Sequence, residues 1–410
     1  MSERRFPERD DPAVTGRRVL LYSHDTFGLG HLRRSRAIAN ALAEQGYHAL
    51  ILSGSPVVDR YAFADGVAPV RIPAVRKRDD AAYASYDAHV PLARTVEARA
   101  RIIARTVESY RPDLIVVDKE PTGFQGEMLP VLANARTRGC RLVLGLRDVL
   151  DEPGRLDAEW RRKGAFDALA LYDEIWVYGV PRLCAPLAEL PVAPEVERRV
   201  LYTGYLRRAL PDAPATLPAL CDKPFLLVTP GGGGDGDGLV DRVIGAYEAD
   251  PGIPLPALIA FGPFMEPDSR AGFLARIARM PGRLAGHDFD SAIERLLARA
   301  SGIVAMGGYN TFCEILSFDR PALLVPRTEP RREQAIRAQA AQMLGLTRVL
   351  PEEAGVRAMA AALRALPGQP PPSRIVVPGL LDGLDVLTGR VRGLLGSAAE
   401  PVRALQAACS

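Results

Sequence analysis

The sequence predicts two doubly wound α/β domains in tandem, facing one another across a cleft. Three observations predict it. Short apolar, β-rich runs alternate with helical patterns over nearly the whole length. The runs are continuous rather than alternating, which suits parallel strands covered on both faces. The order strand, glycine loop, helix opens the pattern at residue 17 and opens it again at 225, after a stretch rich in Pro and Ala.

Each element follows from its residues. "RRVLLYS" (17–23) is a strand, and a helix over 32–45 places Ile38, Ala41 and Leu42 on one face. "HALILSG" (48–54) is the next strand, and a long helix near 91–110 leads into "PDLIVVD" (112–118). "CRLVLGLRD" (140–148), "DEIWVYG" (173–179) and "RVLYTGY" (199–205) complete the first series. "LRRALPDAPATLPALCDKP" (206–224) reads as the linker. Beyond it, "FLLVTP" (225–230) is a strand, "GGGGDGDG" a loop, and Leu239, Val240, Val243, Ile244 and Tyr247 line one side of a helix. "PALIAFG", "GIVAMG" and "PALLVP" are later strands. The predicted organisation is a disordered tail (1–16), an N-terminal Rossmann-like domain (17–205), a linker (206–224), a C-terminal Rossmann-like domain (225–382) and a final helix (383–410).

Composition narrows the function classes. The 410 residues are 48% hydrophobic and 25% charged, a globular balance rather than a disordered one. A net charge of +3 gives no argument for a nucleic-acid partner. The five cysteines are scattered, without zinc spacing or a disulfide framework, which fits a reducing cytoplasm. No run of eighteen apolar residues predicts a membrane span, which leaves peripheral membrane contact through an apolar patch open.

The first glycine loop, "SHDTFGLGHLRRS", begins a dinucleotide fingerprint at Gly28 and Gly30, but Arg33 stands where the third glycine belongs. The second strand carries no acidic residue for a ribose diol, so hydride transfer is disfavoured. "GGGGDGDG" lacks the Lys-Ser/Thr ending of a P-loop, and its aspartates sit where helix caps are common, so no metal site is expected. A glycine turn at a strand's C-terminal end leaves room for a ligand against the backbone, and the following helix aims free N–H groups at it. Gly28, Gly30, Gly232 and Gly233 read as diphosphate-binding positions, with plain tight turns as their other reading; two such loops opening two tandem domains favour a ligand in the cleft between them.

The segment "GIVAMGGYNTFCEILSFDRPALLVPRTEPRREQAIRAQ" (302–339) is the most specific in the chain. Its order is strand, Gly turn, helix bearing Glu, Pro-led strand and polar loop ending in Gln. It resembles the C-terminal half of GT-B nucleotide-sugar glycosyltransferases, and is most similar to the family of the N-acetylglucosaminyltransferase that makes the lipid-linked peptidoglycan precursor. "GLGHLRRS" and "TPGGGGDG" resemble that family's two glycine loops, and "VPRTEPRREQAIRA" resembles an uncharacterised bacterial subgroup of predicted glycosyltransferases. The resemblance spans most of residues 17–385. It implies a GT-B fold with acceptor on the N-terminal side and nucleotide sugar, most often UDP-linked, on the C-terminal side. The nucleotide sugar would be a substrate, and no cofactor or metal is implied. Glu314 would hold the ribose hydroxyls, with a solvated helix face as its other reading, and Gly308, Asn310 and Thr311 the diphosphate, with helix capping as the other reading of Asn310 and Thr311. Phe289 falls on the base-binding loop, with core packing as its other reading. Glu333 and Gln334 would bond the donor sugar. The loop is more basic than in the peptidoglycan enzyme, so Arg327 and Arg332 read either as phosphate contacts or as a solvated face.

Transfer of a glycosyl group to a hydroxyl needs a base for the hydroxyl proton and a positive field for the departing diphosphate. His31, at the positive end of a helix, would be kept neutral and able to accept; its other readings are a phosphate or acceptor contact and a residue packed under the loop. His24 on the same turn is the rival base. His24, Asp25 and Asp118 all fall on the acceptor side. Asp118 would orient the base or an acceptor, or be an ordinary loop carboxylate. "RKRDDAAYASYD" (76–87) reads as a loop over the acceptor pocket. An epimerase or hydrolase on the same architecture is the alternative reading.

Overall fold

The structure is a computed structural model, and it describes residues 16–24, 30–77, 83–211 and 217–396. The N-terminal domain contains β1 (Arg18–Ser23), β2 (His48–Ser53), β3 (Val67–Arg71), β4 (Val75–Lys77), β5 (Tyr83–Ser85), β6 (Leu114–Asp118), β7 (Arg141–Arg147), β8 (Glu174–Tyr178) and β9 (Val200–Tyr202). The C-terminal domain contains β10 (Leu226–Thr229), β11 (Ala257–Ala260), β12 (Leu284–His287), β13 (Gly302–Ala305), β14 (Ala322–Leu324) and β15 (Arg348–Val349). The first sheet has the order β3-β2-β1-β6-β7-β8-β9 and the second β12-β11-β10-β13-β14-β15; every pairing in both is parallel.

The reason is visible in the residues. β1, β6, β10 and β13 are buried along their whole length, and their Val, Leu and Ile side chains pack under helices on both faces. Strand order reverses between β1 and β6 in one sheet and between β10 and β13 in the other. At such a switch point the loops leave in opposite directions and open a crevice beyond the strand ends. In the C-terminal domain the glycine-rich stretch after β10 lies there, and in the N-terminal domain the helix that opens at Gly30 starts there.

The linker holds a short 3₁₀ turn (Ala219–Asp222) among its described residues. The last helix, Gly383–Leu395, does not stand apart. It returns to the N-terminal domain, where Arg392 bonds Gln45 (2.9 Å) and Tyr47 bonds the Gly396 carbonyl (2.9 Å). The stretch expected as a loop over 76–87 is in part an antiparallel pair, β4 with β5.

Candidate functional site

The helix Gly30–Glu44 begins just past β1, and the helix Tyr309–Ser317 begins just past β13. Their N-termini face each other across the inter-domain cleft, and the Asn310 amide donates to the Gly30 carbonyl at 3.0 Å. The cleft has an empty space of ≈ 1080 Å³, mouth included. Gly30, His31, Phe289, Gly308, Thr311 and Glu314 line it.

His31 is the second residue of its helix, and Asp118 is the last of β6. β1 and β6 pair in register from Val19 with Leu114 to Tyr22 with Val117, so Asp118 arrives beside the start of that helix. The His31 Nδ1 proton is donated to Asp118 Oδ2. Arg34, one turn on, grips the same carboxylate with Nε at 2.8 Å and Nη2 at 2.6 Å. Burial would push the Asp118 carboxyl up, but Arg34 and His31 outweigh it and hold it well below the usual carboxylate range. Burial lowers His31 to about 4, against the upward pull of Asp118. The ring is therefore neutral at pH 7, with Nδ1 committed and Nε2 unpartnered among the described residues. Burial is the largest influence that keeps it neutral. His24, the rival base, is buried with its Nδ1 unpartnered and meets His31 edge-on at 5.6 Å between ring centres, behind the cleft wall.

On the opposite wall, Glu314 is buried in the helix that follows Gly308. Arg33, from the N-terminal domain, bridges it to Glu294, with the Glu294 contact at 3.0 Å. Burial pushes Glu314 up to about 7, with Arg33 pulling the other way. Phe289 lies edge-on to Tyr61 (6.2 Å) beneath the Arg60 guanidinium. Both Phe289 and Tyr61 line the cleft. Asn310 is held by Arg208 (2.7 Å) as well as by Gly30, so its side chain is occupied in fixing the two helix ends together. Glu333 opens the helix Glu333–Met343 and takes Arg327 at 2.9 Å, while Arg327 also pairs with Asp235 at 2.6 Å. Gln334 accepts from the Arg327 amide at 3.3 Å.

The structure thus gathers Gly30, His31, Phe289, Gly232, Gly308, Asn310, Thr311, Glu314, Arg327, Glu333 and Gln334 around one cleft, with Asp118 behind His31. Gly233 turns with φ +88° just behind Gly232 and packs on Gly262. Arg332 is not brought in; it faces outward to Glu152. Gly28 and Asp25 lie outside the described residues. Arg33, Arg34, Glu294, Tyr61 and Arg147 escaped the sequence reading. The signal for Arg34 was its place three residues after His31, on the same helix face. For Arg147 it was its place at the C-terminal end of a strand, as for Asp118.

No protein-family model matches the chain. A curated protein of Methanosarcina acetivorans, described as an uncharacterized glycosyltransferase, is 24% identical over 336 residues, 79% of this chain and 83% of its own. Among solved structures, MurG of Acinetobacter baumannii aligns with a TM-score of 0.55 at 14% identity, over 92% of this chain and 99% of its own. UGT2 of Phytolacca americana, complexed with UDP-2-fluoroglucose and pterostilbene, aligns with a TM-score of 0.59 at 13% identity, over 92% and 95%. The fold is the two-domain GT-B architecture. With the archaeal relative, it classes the chain as a transferase of the glycosyltransferase type.

Proposed function

We propose that the protein is an inverting glycosyltransferase that moves a sugar from a UDP-linked donor to an acceptor hydroxyl in one displacement, without a bound metal. The observation that carries this is the neutral His31, fixed by Asp118 on one lip of a cleft whose other lip is the Gly308–Thr311 helix end. His31 Nε2 takes the acceptor proton as the hydroxyl attacks the anomeric carbon. The negative charge on Asp118 stabilises the imidazolium that forms. The bond to the diphosphate breaks as the new glycosidic bond forms. The departing charge is met by the free N–H groups of the Tyr309–Ser317 helix and by Arg327. Glu314 accepts from the ribose hydroxyls once Arg33 yields them room, and Phe289 and Tyr61 flank the base. UDP as the nucleotide is supported by the resemblance of the 302–339 segment and by the ligand of the Phytolacca structure.

His31→Ala should lower turnover about 10²–10⁴-fold while UDP affinity, measured by calorimetry, stays unchanged. An equal fall in donor affinity would overturn the assignment of His31 as base. Incubation with a UDP-sugar alone separates transfer from hydrolysis or epimerisation, since only the latter two turn over without an acceptor.

A further inference from the structure

Arg147 has no part in the chemistry above. It is the last residue of β7, in the N-terminal domain, and it lines the cleft. The other cleft arginines are paired: Arg33 with Glu294 and Glu314, Arg34 with Asp118, Arg327 with Asp235 and Glu333. The Arg147 side chain has neither a hydrogen bond nor an ion pair among the described residues, and its Nε is sealed from solvent without an acceptor. Burial pushes its guanidinium down to about 10, with Glu333 as the main opposing charge. Glu333 shows the matching deficit. Its Oε1 takes Arg327, whereas its Oε2 is buried without a donor. Burial would raise the Glu333 carboxyl, but Arg147, Arg327 and Arg337 outweigh it and keep it ionised. The two side chains sense each other's charge yet stand too far apart to pair.

A buried donor and a buried acceptor left unfilled on residues that line one cleft each carry a desolvation penalty. A carboxylate or phosphate would satisfy Arg147 but would set its charge against ionised Glu333. An apolar ring carbon would satisfy neither. A hydroxyl accepts from Arg147 and donates to Glu333 at once.

We propose that Arg147 is a specificity-determining residue which, together with Glu333, reads one hydroxyl of the donor sugar, so that the site takes a neutral hydroxylated hexosyl donor over its deoxy or uronate counterpart. This rests on the reading of the cleft as a nucleotide-sugar site. It adds a contact from the acceptor-side lobe to the donor sugar, which ties donor recognition to the approach of the two lobes.

The test is calorimetry with UDP, UDP-glucose, UDP-galactose, UDP-glucuronate and the monodeoxy analogues of the preferred hexose, on the wild type, Arg147→Ala and Arg147→Lys. For the wild type, one deoxy analogue should bind roughly 10–100-fold more weakly than its parent, the range of a hydrogen bond to a charged group. In Arg147→Ala that difference should vanish while UDP affinity is kept; Arg147→Lys, which keeps the charge and is the safer variant for folding, should retain part of it. Three results would overturn the assignment: UDP affinity falling by the same factor as UDP-hexose affinity, tighter binding of UDP-glucuronate than of the hexoses, or an unaltered deoxy penalty in both variants. A wild type that binds no nucleotide at all would instead remove the nucleotide-sugar reading, and this proposal with it.

Discussion

His31 is under two opposed influences, and their balance sets how the protein responds to pH. Burial lowers its pKa to about 4 and Asp118 draws it back up. The acid limb of kcat/KM for the free enzyme should therefore lie near 4 rather than near the ordinary 6.5, with a flat profile through neutrality. Asp118→Asn removes the upward pull, so the limb should not rise. The rate should still fall, by about 10²–10⁴-fold, because the ring loses the carboxylate that fixes its tautomer and stabilises its charged form. A limb at 6.5 would mean that the essential base is not this buried imidazole. Stability follows the same shift. Between 6.5 and about 4 the unfolded chain binds a proton at His31 that the folded chain does not. Folding stability therefore falls as pH drops through that window, by at most about 3 kcal/mol from this residue. In His31→Ala the urea midpoint should depend less on pH over the same interval.

At the scale of elements, the two glycine turns of the C-terminal domain are built for different neighbours. A Cβ on Gly262 would come within 2.2 Å of the Gly232 carbonyl, and the Phe264 amide bonds that same carbonyl at 3.0 Å. Here the close approach is loop on loop. A Cβ on Gly308 would meet nothing of the protein within 4 Å, so the space before that helix is left for a ligand. Gly262→Ala should cost about 1–3 kcal/mol in urea unfolding and loosen nucleotide binding as the loop shifts. Gly308→Ala should leave the unfolding midpoint nearly unchanged and weaken nucleotide binding alone. The central strands could be read from the sequence because burial on both faces makes an unbroken apolar run, as in "RVLLYS" and "LIVVD". β3, β12 and β15 could not, since they lie at or near the sheet edges, are partly exposed and carry residues such as Pro69, Gly286 and Arg348. The placement of His31 and Glu314 on the cleft follows from where they stand, each on a helix that begins just past the end of a central strand. Arg33 could not be placed on Glu314, because nothing local links positions 281 apart.

The two lobes meet over a shared apolar cluster and a set of polar contacts, and one of these contacts also shapes the site. Arg337, fully buried in the helix Glu333–Met343, forks onto Asp148 at 2.8 and 2.6 Å across the lobe boundary. Its Nη1 also donates to the Gly307 carbonyl at 3.0 Å, in the turn that sets up Gly308. Asp148 in turn accepts from the Tyr205 hydroxyl at 2.6 Å, and Tyr205 lies where the chain crosses between lobes, with its amide on the Leu380 carbonyl at 2.8 Å. One carboxylate thus joins the end of β7, the crossing segment and the helix behind the donor turn. The solvent-facing pair Arg332–Glu152 should matter little by comparison. Removing one member of the buried pair strands the other's charge, so Arg337→Met and Asp148→Leu should each cost about 3–5 kcal/mol. The double variant should recover much of that loss, because both charges leave together. Nucleotide affinity separates packing from alignment. If the pair positions the donor turn, the double variant should be nearly as stable as the wild type and still bind UDP more weakly, having lost the bond to Gly307. A double variant that regains both stability and UDP affinity would show that Arg337 only fills the boundary between the lobes.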